Sequence, residues 1–525
     1  MNPNANIKMK KLIDNNEKGI NVKPIIFALF LLLLVIFSLN AADDYDIWWH
    51  LKTGEYIVKT HSLLSKDIFS YASSSHWIAY SWLAEILYYL GVSTFGFNFL
   101  VVVRLILYLA TFGTGAFVLF RLGNDYISTI VVSSLLAFLA AFYWTDRPYL
   151  FSAFFLMVIF LILLSWEKTY SGLIWMLPPI MLIWVNMHIN FAFGLALIIF
   201  FALYDLLRMK FRYRNSGTGA DNRVFIKSLP LYLSSAVSIA LTFVNPYKWD
   251  IYSEVFKMAN MPVSYILVPE FASPDFHALY GRIFLIAIIL SCIILAASPQ
   301  KPDLRSILIY LIILGLSLYS TRNTIFLTVL WLPIVSYSAS ALMMKINKSI
   351  IYRGRVKNKI PSTTNTFSPR KRVVIYCFAW LMVAAFIVIS VVYQIRKIGL
   401  SSGYANDKIF PVHAVEYLEA HDEIKGRMFN DHSWGGYIIF KTYPERKVFI
   451  DNRNQLYEKD IFKKYARAVF LPKDWEKLDK EFDFDYALVR NEYPIGEFLK
   501  LYPDWKIVYR DELASIFVKQ KNSKN

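Results

Sequence analysis

Cysteine is nearly absent: Cys292 and Cys377 are the only two in 525 residues, and both lie inside long apolar runs. That excludes a disulfide framework and a cysteine-based metal site. There is no phosphate-binding P-loop, no dinucleotide fingerprint, no zinc-ligand spacing, no nucleophile elbow and no internal repeat. No nucleotide or redox cofactor is therefore expected. Acidic side chains are also scarce, 39 Asp and Glu against 56 Lys and Arg, for a net charge of +17. A basic surface would invite nucleic acid, but the distribution speaks against it. Residues 1–23, 208–227 and 345–372 carry +3, +5 and +9, which is the whole excess. Confined to three segments, the charge is a topology signal, Lys/Arg-rich loops held in the cytoplasm, and no nucleic-acid partner is expected.

What the chain has in abundance is apolar sequence, 56% of residues, with a mean hydropathy of +0.40. Runs of about 18 or more apolar residues predict membrane spans near 24–42, 98–120, 127–145, 149–165, 172–187, 189–207, 228–245, 280–297, 304–320, 324–343 and 373–394. A further short helix over 81–95 dips into the membrane or lies along it. With the basic segments inside, the N-terminal tail 1–23 is cytoplasmic and the region after about Tyr393 lies outside. The first run resembles a secretory signal ending in Asn40-Ala41-Ala42, but its length and the spans that follow favour an uncleaved anchor. The expected fold is mainly α, a polytopic helical membrane domain over 24–398 with a small C-terminal α/β domain over 399–525. The expected location is the cell membrane.

On this topology the polar residues at segment ends gather on the outer side. They are Asp44 and Asp46, Asp146-Arg147-Pro148, Asn186-Met187-His188-Ile189-Asn190, Asn245-Pro246-Tyr247, Glu270 through Asp275, and Thr321-Arg322-Asn323. Ionisable groups near a membrane usually face a water-filled cavity or one another, so one outward-opening cavity is expected. Each residue also has a plainer reading. Arg147 before Pro148 can snorkel to the interface, Arg322 can serve its turn, and His188 can be a satisfied hairpin histidine. Glu85 pairs with Arg104 on this view, and Asp67 is a turn residue. The first outer loop, 43–80, has the pattern of short amphipathic helices lying on the membrane. A helix starting near Asp46 puts His50 one turn on, on the same face. Residues 246–279 form a second long outer segment.

After the last span, helix-like stretches at Val412–His421 and Trp475–Phe482 alternate with strand-like ones. The latter are Arg427–Asn430, Lys447–Ile450, Tyr486–Val489, Trp505–Tyr509 and Ser515–Val518. The densest polar motifs are Asn430 through Tyr437, containing Asp431 and Trp434, and Asp451-Asn452-Arg453. They read as a ligand or metal loop, or more simply as a strand-to-helix turn capped by Asp431 or Ser433.

A cavity lined by carboxylates, Arg and His and open to the bilayer suits a lipid-linked substrate. Transfer of a sugar from a polyprenyl phosphate needs a carboxylate to take the acceptor's proton. It also needs cations on the phosphate as charge develops there.

These residues resemble the C-type glycosyltransferase superfamily of multi-span enzymes that use lipid-phosphate sugars, the group of protein mannosyltransferases and aminoarabinose transferases. More closely the chain is similar to a bacterial-type subgroup with a C-terminal extracytoplasmic domain. The shared pattern here reads Asp44-Tyr45-Asp46-Ile47-Trp48-Trp49-His50, Trp184 through His188, Glu270 through Pro274 and Trp434-Gly435-Gly436-Tyr437. The resemblance implies that the first-loop Asp46 is the general base, with Asp44 an auxiliary acid or metal ligand. Among the polar residues of the outer side, His50, Arg147, Asn186, His188, Glu270 and Arg322 are the candidate contacts for the substrate and its phosphate. Asp431, Trp434, Asp451 and Arg453 are the C-terminal candidates. Ile47 stands where several relatives carry a second acid, which leaves a divalent cation open. The implied activity moves a sugar from a polyprenyl-phosphate donor to a glycan, lipid or protein acceptor. A transporter or flippase for a lipid-linked or anionic solute, and a non-catalytic envelope assembly protein, are the alternatives.

Overall fold

A computed structural model describes residues 23–520 apart from 40–43, 73–75, 217–221, 263, 265–267, 358–404 and 458–459. The expected span at 373–394 and the boundary residue Asp43 lie outside the described residues. The first ten predicted spans are all helices: α1 (Lys23–Ser38), α4 (Asn98–Arg121), α5 (Tyr126–Ala141), α6 (Tyr149–Thr169), α7 (Leu177–Met187), α8 (Phe191–Ser216), α9 (Asn222–Leu241), α11 (Leu279–Ala297), α12 (Leu304–Tyr319) and α13 (Thr324–Lys357). Between them lie α2 (Ile47–Thr60), α3 (Trp82–Phe95) and α10 (Asp250–Ala259). Among the described residues, five stretches are long and apolar enough to cross a membrane: Asn98–Arg121, Tyr149–Thr169, Phe191–Phe211, Leu279–Ala297 and Thr321–Asn347.

Helix starts follow local chemistry. Asp125 accepts the Ser128 N–H to open α5, and Asp303 accepts the Ser306 N–H to open α12; both satisfy an otherwise orphaned backbone donor. The α13 helix runs through the middle of the bundle, burying Ile325 through Val329 and Trp331, and packs against α5, α6 and α12. On α11 and α12, Ile286, Ile293, Leu311 and Ile312 are more than half exposed. Such apolar surface has no reason to face water and fits a lipid-facing flank.

The C-terminal domain contains α14 (Val412–Ala420), α15 (Gly435–Thr442), α16 (Ile461–Phe470), α17 (Pro472–Phe482) and α18 (Ile495–Leu501). Its sheet comprises β1 (Met428–Asn430), β2 (Tyr486–Arg490), β3 (Trp505–Arg510) and β4 (Ala514–Lys519), in the order β1-β2-β4-β3. Strand β1 pairs parallel with β2, and β4 pairs antiparallel with both β2 and β3. The strand-like stretch at Lys447–Ile450 does not join this sheet. Val448 instead pairs with Ser70 of the first loop, accepting the Tyr71 N–H at 3.1 Å and donating to Phe69 O at 3.1 Å.

The first loop also departs from expectation. The tryptophans of helix α2 are covered by protein: Trp48 and Trp49 are each only 2% exposed. Trp48 packs edge-on against Tyr437 at 5.0 Å and Phe410 at 5.4 Å, both from the C-terminal domain. A covering domain supplies the apolar surroundings that an amphipathic helix would otherwise seek in lipid.

Candidate active site

Asp44 Oδ1 accepts the Asp46 N–H at 2.7 Å, closing the turn before α2. Asp46 becomes the N-cap residue of α2, where the helix dipole favours a negative charge, yet its side chain makes no capping bond. The carboxylate faces Arg147 instead, with Oδ2 3.0 Å from Nη1. The tight turn between α5 and α6 delivers Arg147, whose N–H donates to Thr145 O at 2.8 Å. The preceding Asp146 points the other way and binds Arg104 at 2.8 Å, both side chains buried. That inner pair pins the turn from which Arg147 projects.

Arg147 sits among three carboxylates. Its Nε donates to Asp44 at 2.8 and 2.6 Å, and its Nη1 donates to Glu270 at 3.2 and 3.0 Å. Glu270 reaches the site because its loop is strapped to the turn before α13. The Arg322 N–H donates to Glu270 O, and the Thr321 N–H to Ala272 O, each at 3.0 Å. The Arg322 guanidinium lies over the Phe271 ring at 4.9 Å, with Nη1 3.9 Å from Glu270.

Two guanidinium groups therefore serve three carboxylates, and the charge is shared unevenly. Burial pushes the Asp46 carboxyl up to about 7, because Arg147 offsets it only in part while Asp44 and Glu270 repel a further charge. Burial also works against ionised Glu270, but Arg147 and Arg322 outweigh it and hold that carboxyl below its usual range. Asp46 is thus readier than Glu270 to take a proton near neutrality. The acids surround Arg147 rather than converging on a common empty point, and among the described residues no group of three or more His, Cys, Asp and Glu is arranged to hold a metal ion. The guanidinium takes the central position that a divalent cation would need, so the donor set does not fit one.

Two histidines lie behind this cluster. His50 is one turn beyond Asp46, donating its N–H to Asp46 O at 3.3 Å, and its Nδ1 meets Glu85 Oε1 at 2.8 Å. Glu85 is therefore the partner of His50, while Arg104 belongs to Asp146; the expected Glu85–Arg104 pair does not form. The reason is the close packing of α2 on α3, which needs Gly54, since a Cβ there would stand 2.1 Å from the Glu85 carbonyl oxygen. His188 follows α7. Its Nδ1 lies 3.0 Å from Ser152 Oγ, which accepts the Trp184 indole N–H at 2.8 Å, and it accepts the Asn190 N–H at 3.3 Å. With Nδ1 accepting, the ring proton of neutral His188 sits on Nε2. Burial holds both histidines below their usual range; His188, Arg147 and Arg322 add to this at His50, and Arg322 at His188.

Asn186 stands slightly apart, with its amide fully used. Its Oδ1 accepts from Trp82 Nε1 at 3.1 Å and Asn245 Nδ2 at 3.2 Å, and its Nδ2 donates to Leu182 O and Val244 O. It ties α3, α7 and the turn after α9 together at the edge of an open groove of about 510 Å³.

The C-terminal candidates divide. Asp431 accepts the Ser433 N–H at 2.9 Å, and Trp434 donates to Ile409 O at 2.8 Å beneath the Arg490 guanidinium, 4.6 Å from its ring. Asp451 and Arg453 are fully buried in a two-point pair, Nε to Oδ1 at 2.8 Å and Nη2 to Oδ2 at 2.6 Å. Arg453 Nη1 then reaches Asp67 of the first loop at 2.8 Å. Sequence reasoning left out this partnership, and also Ser152 and the buried Tyr80, whose ring is 6.2 Å from that of His188. Contacts between residues so distant in the chain leave no local pattern to read.

No protein-family model and no curated protein matches the sequence. Among solved structures the chain is similar to the arabinofuranosyltransferase AftD from mycobacteria, with 12% identity and a TM-score of 0.46. That similarity covers 95% of this chain and 40% of the AftD chain. It is also similar to ArnT from Cupriavidus metallidurans, solved with undecaprenyl phosphate bound, with 12% identity and a TM-score of 0.48. The chain thus spans 40% of the length of AftD, and the second similarity covers 95% of this chain and 98% of ArnT.

Proposed function

We propose that this protein is a membrane glycosyltransferase that moves a sugar from a polyprenyl-phosphate donor to a hydroxyl of an extracytoplasmic acceptor. One observation carries the reading: Asp46, a carboxylate less neutralised than Glu270, shares a cluster with Arg322, whose guanidinium is the less committed of the two. Among the described residues that guanidinium meets only Glu270, at 3.9 Å, and the Phe271 ring. In the reaction Asp46 takes the acceptor hydroxyl's proton as the oxygen bonds to the sugar's anomeric carbon. The bond from that carbon to the phosphate oxygen breaks, and its electron pair leaves with the phosphate. Arg322, with the Nε2–H of His188, meets the charge growing there. Arg147 fixes the acids in place. A glycosidase needs a second carboxyl to protonate its leaving oxygen; phosphate already leaves readily, so one base and cations suffice. The confinement of positive charge to 1–23, 208–227 and 345–372 supports placing the site outside the cytoplasm.

The test is mass spectrometry of lipid-linked and surface glycans from cells with and without this chain, followed by transfer assays with purified protein. Loss of one sugar-bearing species, matched by transfer in vitro, supports the reading. Unchanged glycans together with no transfer from any polyprenyl-phosphate sugar would sink it. Arg322→Gln should lower kcat/KM for the lipid donor by about 10- to 100-fold, the size of one lost charge-assisted hydrogen bond. Its melting temperature should stay close to wild type, because the guanidinium makes so few protein contacts. A variant with wild-type donor kinetics removes Arg322 from the phosphate.

A further inference from the structure

The C-terminal domain meets the candidate site from behind, at two separate points on the first loop. The first is the start of α15. A Cβ on Gly436 would stand 2.8 Å from the Tyr45 carbonyl oxygen and 3.3 Å from Trp49 Cδ1. Tyr45 is the residue between the two site acids, and its carbonyl belongs to the peptide whose N–H Asp44 holds at 2.7 Å. The domain backbone therefore lies directly against the Tyr45–Asp46 peptide, with no side chain between them to yield.

The second point is at the far end of the loop. Arg453 joins Asp451 to Asp67 and lies over the rings of Trp77 at 4.6 Å and Phe69 at 5.2 Å. Tyr457 donates to Asp451 Oδ2 at 2.7 Å, and Asp67 accepts the N–H groups of Phe69 and Ser70. Each carboxylate of this joint thus has hydrogen-bonded partners besides Arg453, the condition under which a buried ionic group is tolerated. The Ser70–Val448 pairing and the Tyr71 hydroxyl donating to Met428 O at 2.8 Å extend the seam. Helix α2, with Asp46 at its head, is strung between the two anchors.

Arg147 is held from outside this loop by its own turn and by Glu270, and only its contact with Asp44 belongs to the loop. A shift of the Tyr45–Asp46 peptide would therefore change the distance from Asp46 to Arg147 and to the acceptor rather than carry the whole cluster along. We infer that Gly436, backed by the Asp67–Arg453–Asp451 joint, is a positioning element of the active site, and that the C-terminal domain sets where the Asp46 carboxylate stands. This deepens, and rests on, the reading of Asp46 as the base.

The test uses the full-length protein in lipid nanodiscs. Gly436→Ala should lower kcat by about tenfold or more, as sub-ångström to ångström misplacement of a catalytic group does, while KM for the lipid donor stays within about twofold. Amide exchange at Asp46 and His50, read by mass spectrometry, should accelerate. Gly496→Ala is the control in the same domain, because its methyl would meet only Val489 Cγ2 at 3.8 Å; kcat and exchange should match wild type. At the second anchor, Arg453→Lys should retain part of the activity that Arg453→Met loses. Wild-type kcat and exchange in Gly436→Ala would overturn the inference, as would an equal loss in Gly496→Ala. If the wild-type protein transfers no sugar, the functional reading falls by itself, and amide exchange at Asp46 and His50 still decides the positioning role.

Discussion

Asp46→Asn should lower sugar transfer by about 10²- to 10⁴-fold, the usual contribution of a positioned general base, with the fold intact. The amide has the shape of the carboxyl, so the Asp44 turn and α2 are undisturbed. The pH dependence makes the expectation sharper. Burial raises the Asp46 carboxyl to about 7, and only its ionised form can accept a proton. The wild-type rate should therefore climb with pH, level off above about 7, and lose this limb in Asp46→Asn. Stability should move in the opposite sense. A carboxyl whose folded pKa lies above its ordinary value contributes stability that is present at acid pH and lost as pH rises through the folded pKa. The neutral amide removes that loss, so the variant should equal or exceed wild type in melting temperature above pH 7. Initial rates and thermal melts across this range measure both. Transfer at wild-type speed would remove Asp46 from the chemistry.

Arg147→Met should abolish transfer and destabilise the protein by about 3–5 kcal/mol, the range found when one partner of a buried ion pair is removed. Its side chain is 13% exposed, and it faces Asp44, Asp46 and Glu270 at once. Without it those acids face one another with only Arg322 nearby. In wild type Glu270 is held below its usual range, so its contribution is present above the ordinary carboxyl pKa and lost as pH falls through the lowered one. In the variant the carboxyls of Asp46 and Glu270 bind protons more tightly when folded than when unfolded. The loss of stability should then be greatest at neutral and alkaline pH and shrink on acidification. Melting curves at several pH values distinguish this from simple loss of packing, which would lower stability equally at each. Adding Asp44→Asn should recover part of the loss, because the two sites interact directly. A single variant that melts like wild type at every pH would show that the cluster does not depend on Arg147.

Much of the architecture was legible in local patterns. Ten of the predicted apolar runs are helices, the helix expected to start near Asp46 is Ile47–Thr60, and four of the five strand-like stretches are the four strands of the sheet. Run length, alternation and turn residues are properties of neighbouring residues, so they survive in the order of amino acids. Lys447–Ile450 was misread as a sheet strand because its partner is not in the domain at all, but at Ser70.

The site divides along the same line. Carboxylates after the first apolar run, an Arg before a Pro and an Asn-flanked His could be picked out one by one, since polar groups at the ends of apolar segments are conspicuous. Which of them pair could not. Glu85 faces His50 rather than Arg104, Asp67 closes a buried joint with Arg453, and Asp44 holds Arg147 tightly while Asp46 is left partly uncompensated. Composition and periodicity determined that this chain is a helical membrane protein with acids at one end of its first loop. Only the tertiary structure decided which acid is poised to take a proton, because that depends on how three carboxylates divide two guanidinium groups in a buried space, and on a distant domain whose backbone rests against the peptide between Asp44 and Asp46.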